Sequence, residues 1–246
     1  MTVGTGNIGD NLNRVRDVIA AACSRVHRDP ADVTLVAVSK LRSPADILAA
    51  AEAGVQHFGE NRVEEAYAKL PSVKAQTQLQ LTWHMVGHIQ SRKARDVAPL
   101  FDVVHSVDRV KLAEKLAQAV VESSHDMMDV LLQMNVSGEV SKSGFEATGW
   151  QTHQAVREQL WQDVDYVAKL PGLRVRGLMT MAPIVADPEE TRPIFAGLMA
   201  LRDALSEDFD LPLPELSMGM TDDYPVAIEE GATMVRIGRA IFGERD

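Results

Sequence analysis

Cysteine is almost absent: Cys23 is the only one in 246 residues. No internal disulfide can therefore form, and a reducing, cytoplasmic compartment is the expected home. Cys23 follows Ala20, Ala21 and Ala22, a context that reads as a packed helix residue rather than a nucleophile. Basic charge is also in deficit, with 25 Lys and Arg against 35 Asp and Glu and a net charge of −10. That balance argues against a nucleic-acid-binding surface, and the cluster Arg92-Lys93-Ala94-Arg95 reads as the solvated face of a helix start. No apolar run reaches the ~20 residues that a bilayer span needs, so no membrane association is expected. The polar, glycine-rich stretch from Met1 to Asp10 has no signal-peptide core. Low-complexity tracts and short-period repeats are missing, as are H-E-x-x-H and cysteine clusters. His84 and His88 flank Gly87 in a strand-to-loop segment, so no metal site is expected.

What remains is an ordinary globular composition, 46% hydrophobic and 24% charged, at a length that suits one large α/β domain or two small ones. After a start at residues 1–7 expected to be flexible, residues 8–27 carry Leu12, Val15, Ile19, Ala22 and Val26 at helical spacing. Strand and helix patterns then alternate. Strands are expected at 33–39, 55–58, 81–86, 102–105, 129–135, 173–179, 213–217 and 233–237. Helices fall between them, with Ser43-Pro44 opening the first and Asp108 read as the N-cap of the fourth. Eight strands, each followed by a helical segment, form the pattern of a (β/α)8 TIM barrel, here with an extra N-terminal helix and one domain over residues 1–246. An open doubly wound sheet is the alternative. It calls for a glycine-rich phosphate loop after the first strand, where this chain has Lys40-Leu41-Arg42-Ser43.

Barrel sites collect where strands end and loops begin at the carboxyl face. Those ends carry Lys40, Glu60 and Asn61, His84 and Gly87, Asn135 and Ser137, Met179, Ser217, and Arg236, Gly238 and Arg239. Lys40 closes the apolar strand Val33-Thr34-Leu35-Val36-Ala37-Val38-Ser39. It is either a solvated exit residue or an amine held at the mouth of a core, where desolvation raises the neutral, nucleophilic fraction. Ser217-Met218-Gly219-Met220 and Ile237-Gly238-Arg239-Ala240-Ile241-Phe242-Gly243 occupy the two loops with which barrels often bind phosphate. Their glycines serve either tight turns or close approach to an anion. Arg236 interrupts the eighth strand, and a guanidinium buried there requires an acceptor: a core carboxylate or a ligand ring nitrogen. A phosphate site, a reactive lysine and a ring-nitrogen donor together describe pyridoxal 5′-phosphate (PLP).

Seven blocks carry a family resemblance. They are Val36-Ala37-Val38-Ser39-Lys40, Phe58-Gly59-Glu60-Asn61, Trp83-His84-Met85-Val86-Gly87-His88-Ile89-Gln90 and Asn135-Val136-Ser137-Gly138-Glu139-Val140-Ser141-Lys142-Ser143-Gly144. Arg176-Gly177-Leu178-Met179, Leu216-Ser217-Met218-Gly219-Met220-Thr221-Asp222-Asp223 and Met234-Val235-Arg236-Ile237-Gly238-Arg239-Ala240-Ile241-Phe242-Gly243 complete the series in order. The chain resembles the pyridoxal phosphate homeostasis proteins, single-domain relatives of the alanine racemase N-terminal barrel (PLP fold type III). The resemblance implies that Lys40 bonds the cofactor as a Schiff base and that Asn61 lies near the ring's phenolic oxygen. It also implies that Met179 packs against the ring, that Ser217 and the backbone at Gly238-Arg239 hold the phosphate, and that Arg236 faces the pyridine nitrogen. His84 and Lys142 lie in family motifs, Lys142 as a secondary amine near the cofactor. The family often has Ser or Thr where Arg239 stands, which confines the expected contact there to the backbone.

An arginine at the pyridine nitrogen disfavours ring protonation and weakens the electron sink, which argues against transamination. Racemisation in the related barrels uses a tyrosine from a second domain, and that domain is expected to be missing here. Tyr67 and Tyr166 read as packing residues and Tyr224 as a helix start before Pro225. The expected function is therefore to carry or buffer PLP, with apoenzymes as recipients and a monomer as the working form; a weak amino-acid racemase is the rival. A barrel aldolase or isomerase using Lys40 with Glu60 or His84 as base is a third reading.

Overall fold

The computed structural model of the chain describes residues 8–123, 127–139 and 143–244. Its strands are β1 (Thr34–Val38), β2 (His57–Glu60), β3 (Thr82–Met85), β4 (Val103–Val107), β5 (Met128–Asn135), β6 (Phe145–Glu146), β7 (Leu173–Met179), β8 (Glu215–Ser217) and β9 (Met234–Ile237). Around them lie α1 (Ile8–Arg25), α2 (Pro44–Glu52), α3 (Val63–Lys74), α4 (Ala94–Val97), α5 (Val110–Glu122), α6 (Gln154–Ala168), α7 (Arg192–Phe209), α8 (Tyr224–Glu229) and α9 (Arg239–Phe242). Parallel pairing runs β4–β3–β2–β1–β9–β8–β7–β5, and a further β4–β5 pairing closes the ring. The result is an eight-stranded parallel barrel sheathed by helices, as the alternating pattern predicts, and closure gives each of the eight barrel strands a neighbour on both sides. It also excludes the open sheet. The short β6 was not predicted; it pairs only along β5, Met134 with Phe145 and Asn135 with Glu146.

The extra helix forms because its apolar residues fall on one stripe. Leu12, Val15, Ile19 and Ala22 are buried, Cys23 is fully packed among them, and the stripe rests on α8 and α9. Helix α2 starts at a complete capping box: the Ser43 hydroxyl accepts from the Asp46 N–H while the Asp46 carboxylate accepts from the Ser43 N–H.

Register sets which residues share a face. Val38, Gly59 and His84 align across β1, β2 and β3, and Val36 aligns with Arg236 across β1 and β9. The alternate set, Ala37, Phe58 and Trp83, lies in the core beneath the helices, with the Phe58 and Trp83 rings 5.5 Å apart. Between β7 and β8, Gly177 pairs with Glu215. A Cβ on Gly177 would come within 1.8 Å of the Glu215 carbonyl oxygen, which is backbone and cannot swing away. Gly177→Ala is therefore expected to cost about 3 kcal/mol or more in urea unfolding; a loss under about 1 kcal/mol would show that β8 moves freely.

Several local expectations need correction. Asp108 does not cap α5: the N-cap position falls on Arg109, while the Asp108 carboxylate takes His88 Nδ1 at 3.0 Å and the Arg109 guanidinium. Tyr67 and Tyr166 are not packing residues, being 69% and 48% exposed. The buried stripe of α3 runs through Val63, Ala66, Leu70 and Val73, and that of α6 through Leu160, Val164 and Val167, so each tyrosine sits one position off its stripe. The helix after β3 is a 3-10 turn followed by only four α-helical residues, because Pro99 lacks the N–H needed to extend it. The second strand starts at His57, two residues later than predicted.

Candidate functional site

Strand β1 ends at Val38, and the chain leaves the barrel through Ser39, Lys40 and Leu41. The turn closes with Arg42 N–H donating to the Ser39 carbonyl at 3.0 Å. Leu41 takes φ +59°, a left-handed conformation that costs a branched residue about 1–2 kcal/mol and so requires outside support. The β1–β9 ladder aligns Ala37 with Ile237, so Gly238 comes out beside Val38, and Lys40 follows two residues later on the rim of the same cavity. A Cβ on Gly238 would lie 3.1 Å from the Val38 carbonyl oxygen, so glycine permits this approach. Between the two loops is a cavity of about 320 Å³ lined by Val38, Lys40, Arg42, Gly238, Arg239, Gly243 and Glu244. Its size fits a small-molecule site. A larger cavity, about 650 Å³, opens among α5, β6 and α6 and contains none of the predicted cofactor residues.

The barrel interior holds a continuous chain of polar groups. Arg236, 5% exposed, donates from Nη1 to Ser217 Oγ at 2.6 Å and from Nη2 to the Thr180 carbonyl at 2.8 Å. His105 Nδ1 lies 2.8 Å from Ser217 Oγ, His105 Nε2 is 2.8 Å from His84 Nδ1, and His84 Nε2 is 3.0 Å from His57 Nδ1. The Ser217–His105 bond joins β8 to β4 through the barrel interior, past the intervening β5 and β7. Because the guanidinium can only donate, Ser217 Oγ accepts from it. When the hydroxyl then donates to His105 Nδ1, every imidazole is the Nε2–H tautomer, His105 donating to His84 and His84 to His57.

Burial dominates the electrostatics here. It pushes His84 down to about 3, His57 adding repulsion, and holds His105 well below the ordinary imidazole value, with His84 and Arg236 contributing. His57 is lowered by the same cause, though Glu215 and Asp102 act against it. Desolvation also lowers Arg236 to about 10, opposed by Asp223, whose own carboxyl is raised by burial. Among the described residues no carboxylate pairs directly with Arg236, which sets aside the structural ion pair that a buried arginine suggests.

The predicted residues are thus brought together in part. Lys40, Gly238 and Arg239 share the cavity, although the Arg239 guanidinium turns to Asp222 (2.6 Å) and leaves its backbone as the contribution to the loop. Ser217 and Arg236 are bonded to each other, and Thr180, which accepts from Arg236, directly follows Met179. Met179 is fully buried in a small cluster with Leu131 and Met234. Asn61 follows the end of β2 with its Oδ1 buried and unpartnered, and Gly87 packs so close that a Cβ would meet the Asn61 carbonyl at 2.2 Å. His84 is not at the rim: it lies inside β3 and reaches the site only through His105. Lys142 lies outside the described residues. Sequence reasoning missed His57, His105 and Thr180. The two-residue alternation along β2, β3 and β4 hinted at inward histidines, but nothing local named their partners.

The arrangement defines a class. The alanine racemase N-terminal domain family matches residues 11–246, and alanine racemase of Clostridium difficile 630 shares the fold at TM-score 0.71 with 15% identity, over 98% of this chain and 57% of that one. Nearer solved relatives are PipY of Synechococcus elongatus PCC7942 with PLP bound and an unknown protein from Bifidobacterium adolescentis, each 36% identical. PipY has a TM-score of 0.76 over 92% of this chain and 100% of its own. The Bifidobacterium protein has 0.85 over 97% and 95%. The pyridoxal phosphate homeostasis protein of Pseudomonas aeruginosa is 42% identical over 97% of this chain and 96% of its own length. That of Aquifex aeolicus is 38% identical over 97% and 99%. This chain belongs to the pyridoxal phosphate homeostasis protein family.

Proposed function

We propose that this protein binds pyridoxal 5′-phosphate and carries or buffers it without robust turnover, in the cytoplasm, as a monomer that supplies apoenzymes. The observation that carries this reading is the placement of Lys40 and Gly238–Arg239 around one cavity beyond the ends of β1 and β9, with Arg236 of β9 buried in the barrel interior without a paired carboxylate among the described residues. The group fits these residues: Asn61 Oδ1 is a buried acceptor awaiting a donor, and Arg236 uses only two of its five N–H groups. When bound, PLP supplies an aldehyde for an amine and an aromatic ring as electron sink.

Lys40 supplies the amine that tethers the aldehyde. The first N–H groups of α9, which lack intrahelical partners, hold the phosphate together with Ser217, whose hydroxyl then donates to a phosphate oxygen in place of His105 Nδ1. Asn61 meets the phenolic oxygen and Met179 the ring face. Arg236 points cationic donors at the ring nitrogen and keeps a proton off it, which weakens the sink. Glu60, a candidate base for sugar-phosphate chemistry, is committed instead to the Ser39 hydroxyl (2.5 Å) and the Lys69 amine (2.8 Å).

The test is to incubate the purified protein with PLP, record the visible spectrum, reduce with borohydride and map the modified peptide. The expected adduct is on Lys40, and L-alanine keeps its chirality in the same preparation. A protein that stays colourless sinks the proposal; steady racemisation replaces carriage by catalysis.

A further inference from the structure

Beneath the Lys40 loop is a second polar group that the binding site does not use. Helix α3 carries Glu65 and Lys69 one turn apart, paired at 2.8 Å, with the Lys69 side chain only 7% exposed. Lys69 Nζ donates to the Ser39 carbonyl at 2.8 Å, and Glu65 Oε1 accepts the Leu41 N–H. These are the two peptide groups on either side of Lys40. Buried Glu60 locks Lys69 from below at 2.8 Å and accepts the Ser39 hydroxyl at 2.5 Å.

We propose that Glu65 and Lys69 are positioning residues: they clamp the peptides flanking Lys40, hold Leu41 in its left-handed conformation and so aim the Lys40 amine at the cofactor aldehyde. This rests on the reading of Lys40 as the tether. Both contacts are charge-assisted and hold the backbone itself. Backbone rotation at Leu41 would swing the whole turn, and the strained φ persists because Glu65 satisfies the N–H that it presents. Condensation joins the amine nitrogen to the aldehyde carbon with release of one water. Its yield therefore depends on where the amine stands, whereas binding of the ring and phosphate does not.

That difference supplies the test. Pyridoxine 5′-phosphate has an alcohol in place of the aldehyde and cannot condense, so it reports the pocket alone. Wild type, Glu65→Ala, Lys69→Arg and the double variant Glu60→Gln with Lys69→Met, which removes the fully buried Glu60 charge together with its partner and leaves only the less buried Glu65 without its ion pair, are titrated with both compounds, and the borohydride-trapped fraction is measured. Glu65→Ala and the double variant are expected to weaken PLP binding about tenfold and to lower trapping, with pyridoxine 5′-phosphate changed less than about twofold. Lys69→Arg, which keeps a cation on the Ser39 carbonyl, is expected to stay near wild type. Equal weakening of both compounds would reduce the clamp to a docking contact for α3, and unchanged PLP binding would remove it. Wild type that traps nothing on Lys40 would instead overturn the tether itself.

Discussion

With Lys40 replaced by alanine, the protein is expected to yield no borohydride-fixed adduct with PLP and to lose about 100-fold or more in affinity. Lys40 stands half-buried in the turn after β1, where truncation leaves no large core void, so the melting temperature should barely move. What disappears is the bond between the amine and the aldehyde. Lys40→Arg separates this from charge: a guanidinium keeps the cation but does not deprotonate, and so cannot attack a carbonyl. Both variants should retain weak, reversible binding of pyridoxine 5′-phosphate, because Gly238 and the loop after β9 are untouched. A full-strength adduct in the alanine variant, mapped to another lysine, would move the tether elsewhere.

Acid should unfold this protein through its interior. The three imidazoles of the His57–His84–His105 chain are all held below the ordinary value of 6.5, His84 at about 3 and His105 well down, and so they are neutral in the fold. In the unfolded chain each binds a proton below about 6.5. The unfolded state therefore takes up more protons, and stability falls as pH drops from 6.5 until the folded values are passed. A buried imidazole withdraws about 1.4 kcal/mol per pH unit, so His84 alone removes roughly 3 kcal/mol by about pH 4.5, a sizeable part of a domain's stability, and His105 acts in the same direction. Glu60 and Asp223 act in the opposite sense, since burial raises both and their protonation relieves the fold as pH falls towards 4.5 and 3.8. They offset part of the loss. Urea unfolding between about pH 7 and about pH 4.5 measures the slope, and His84→Gln, which keeps a donor and an acceptor but does not titrate, should reduce it by about one proton. An unchanged slope would place the acid sensitivity outside the barrel.

Much of the fold was readable because the forces that set it are local. Apolar runs such as Val36-Ala37-Val38 and the stripe Leu12, Val15, Ile19 report strand and helix through their own periods, and Ser43-Pro44 marks a start by its capping chemistry. Strand number and order then followed, and with them the carboxyl rim. Lys40, Ser217 and Gly238 could be picked out because each ends a strand, and Arg236 because a guanidinium contradicts the apolar run around it. Tyr67 and Tyr166 were misread because one residue along a helix is about 100° of rotation, finer than a pattern of apolar positions resolves.

By itself, then, the sequence determined the eight-stranded barrel, its family and the polar residues that gather at its carboxyl rim. Tertiary structure alone decided who bonds to whom across it: His105 on β4 with Ser217 on β8, Arg236 with the carbonyl of Thr180, and Glu65 and Lys69 of α3 with the peptides around Lys40. The physical reason is range. Periodicity and capping act over a few residues, whereas these contacts join residues 112, 56, 24 and 30 positions apart, and only barrel closure and the seating of α3 bring them within hydrogen-bonding distance.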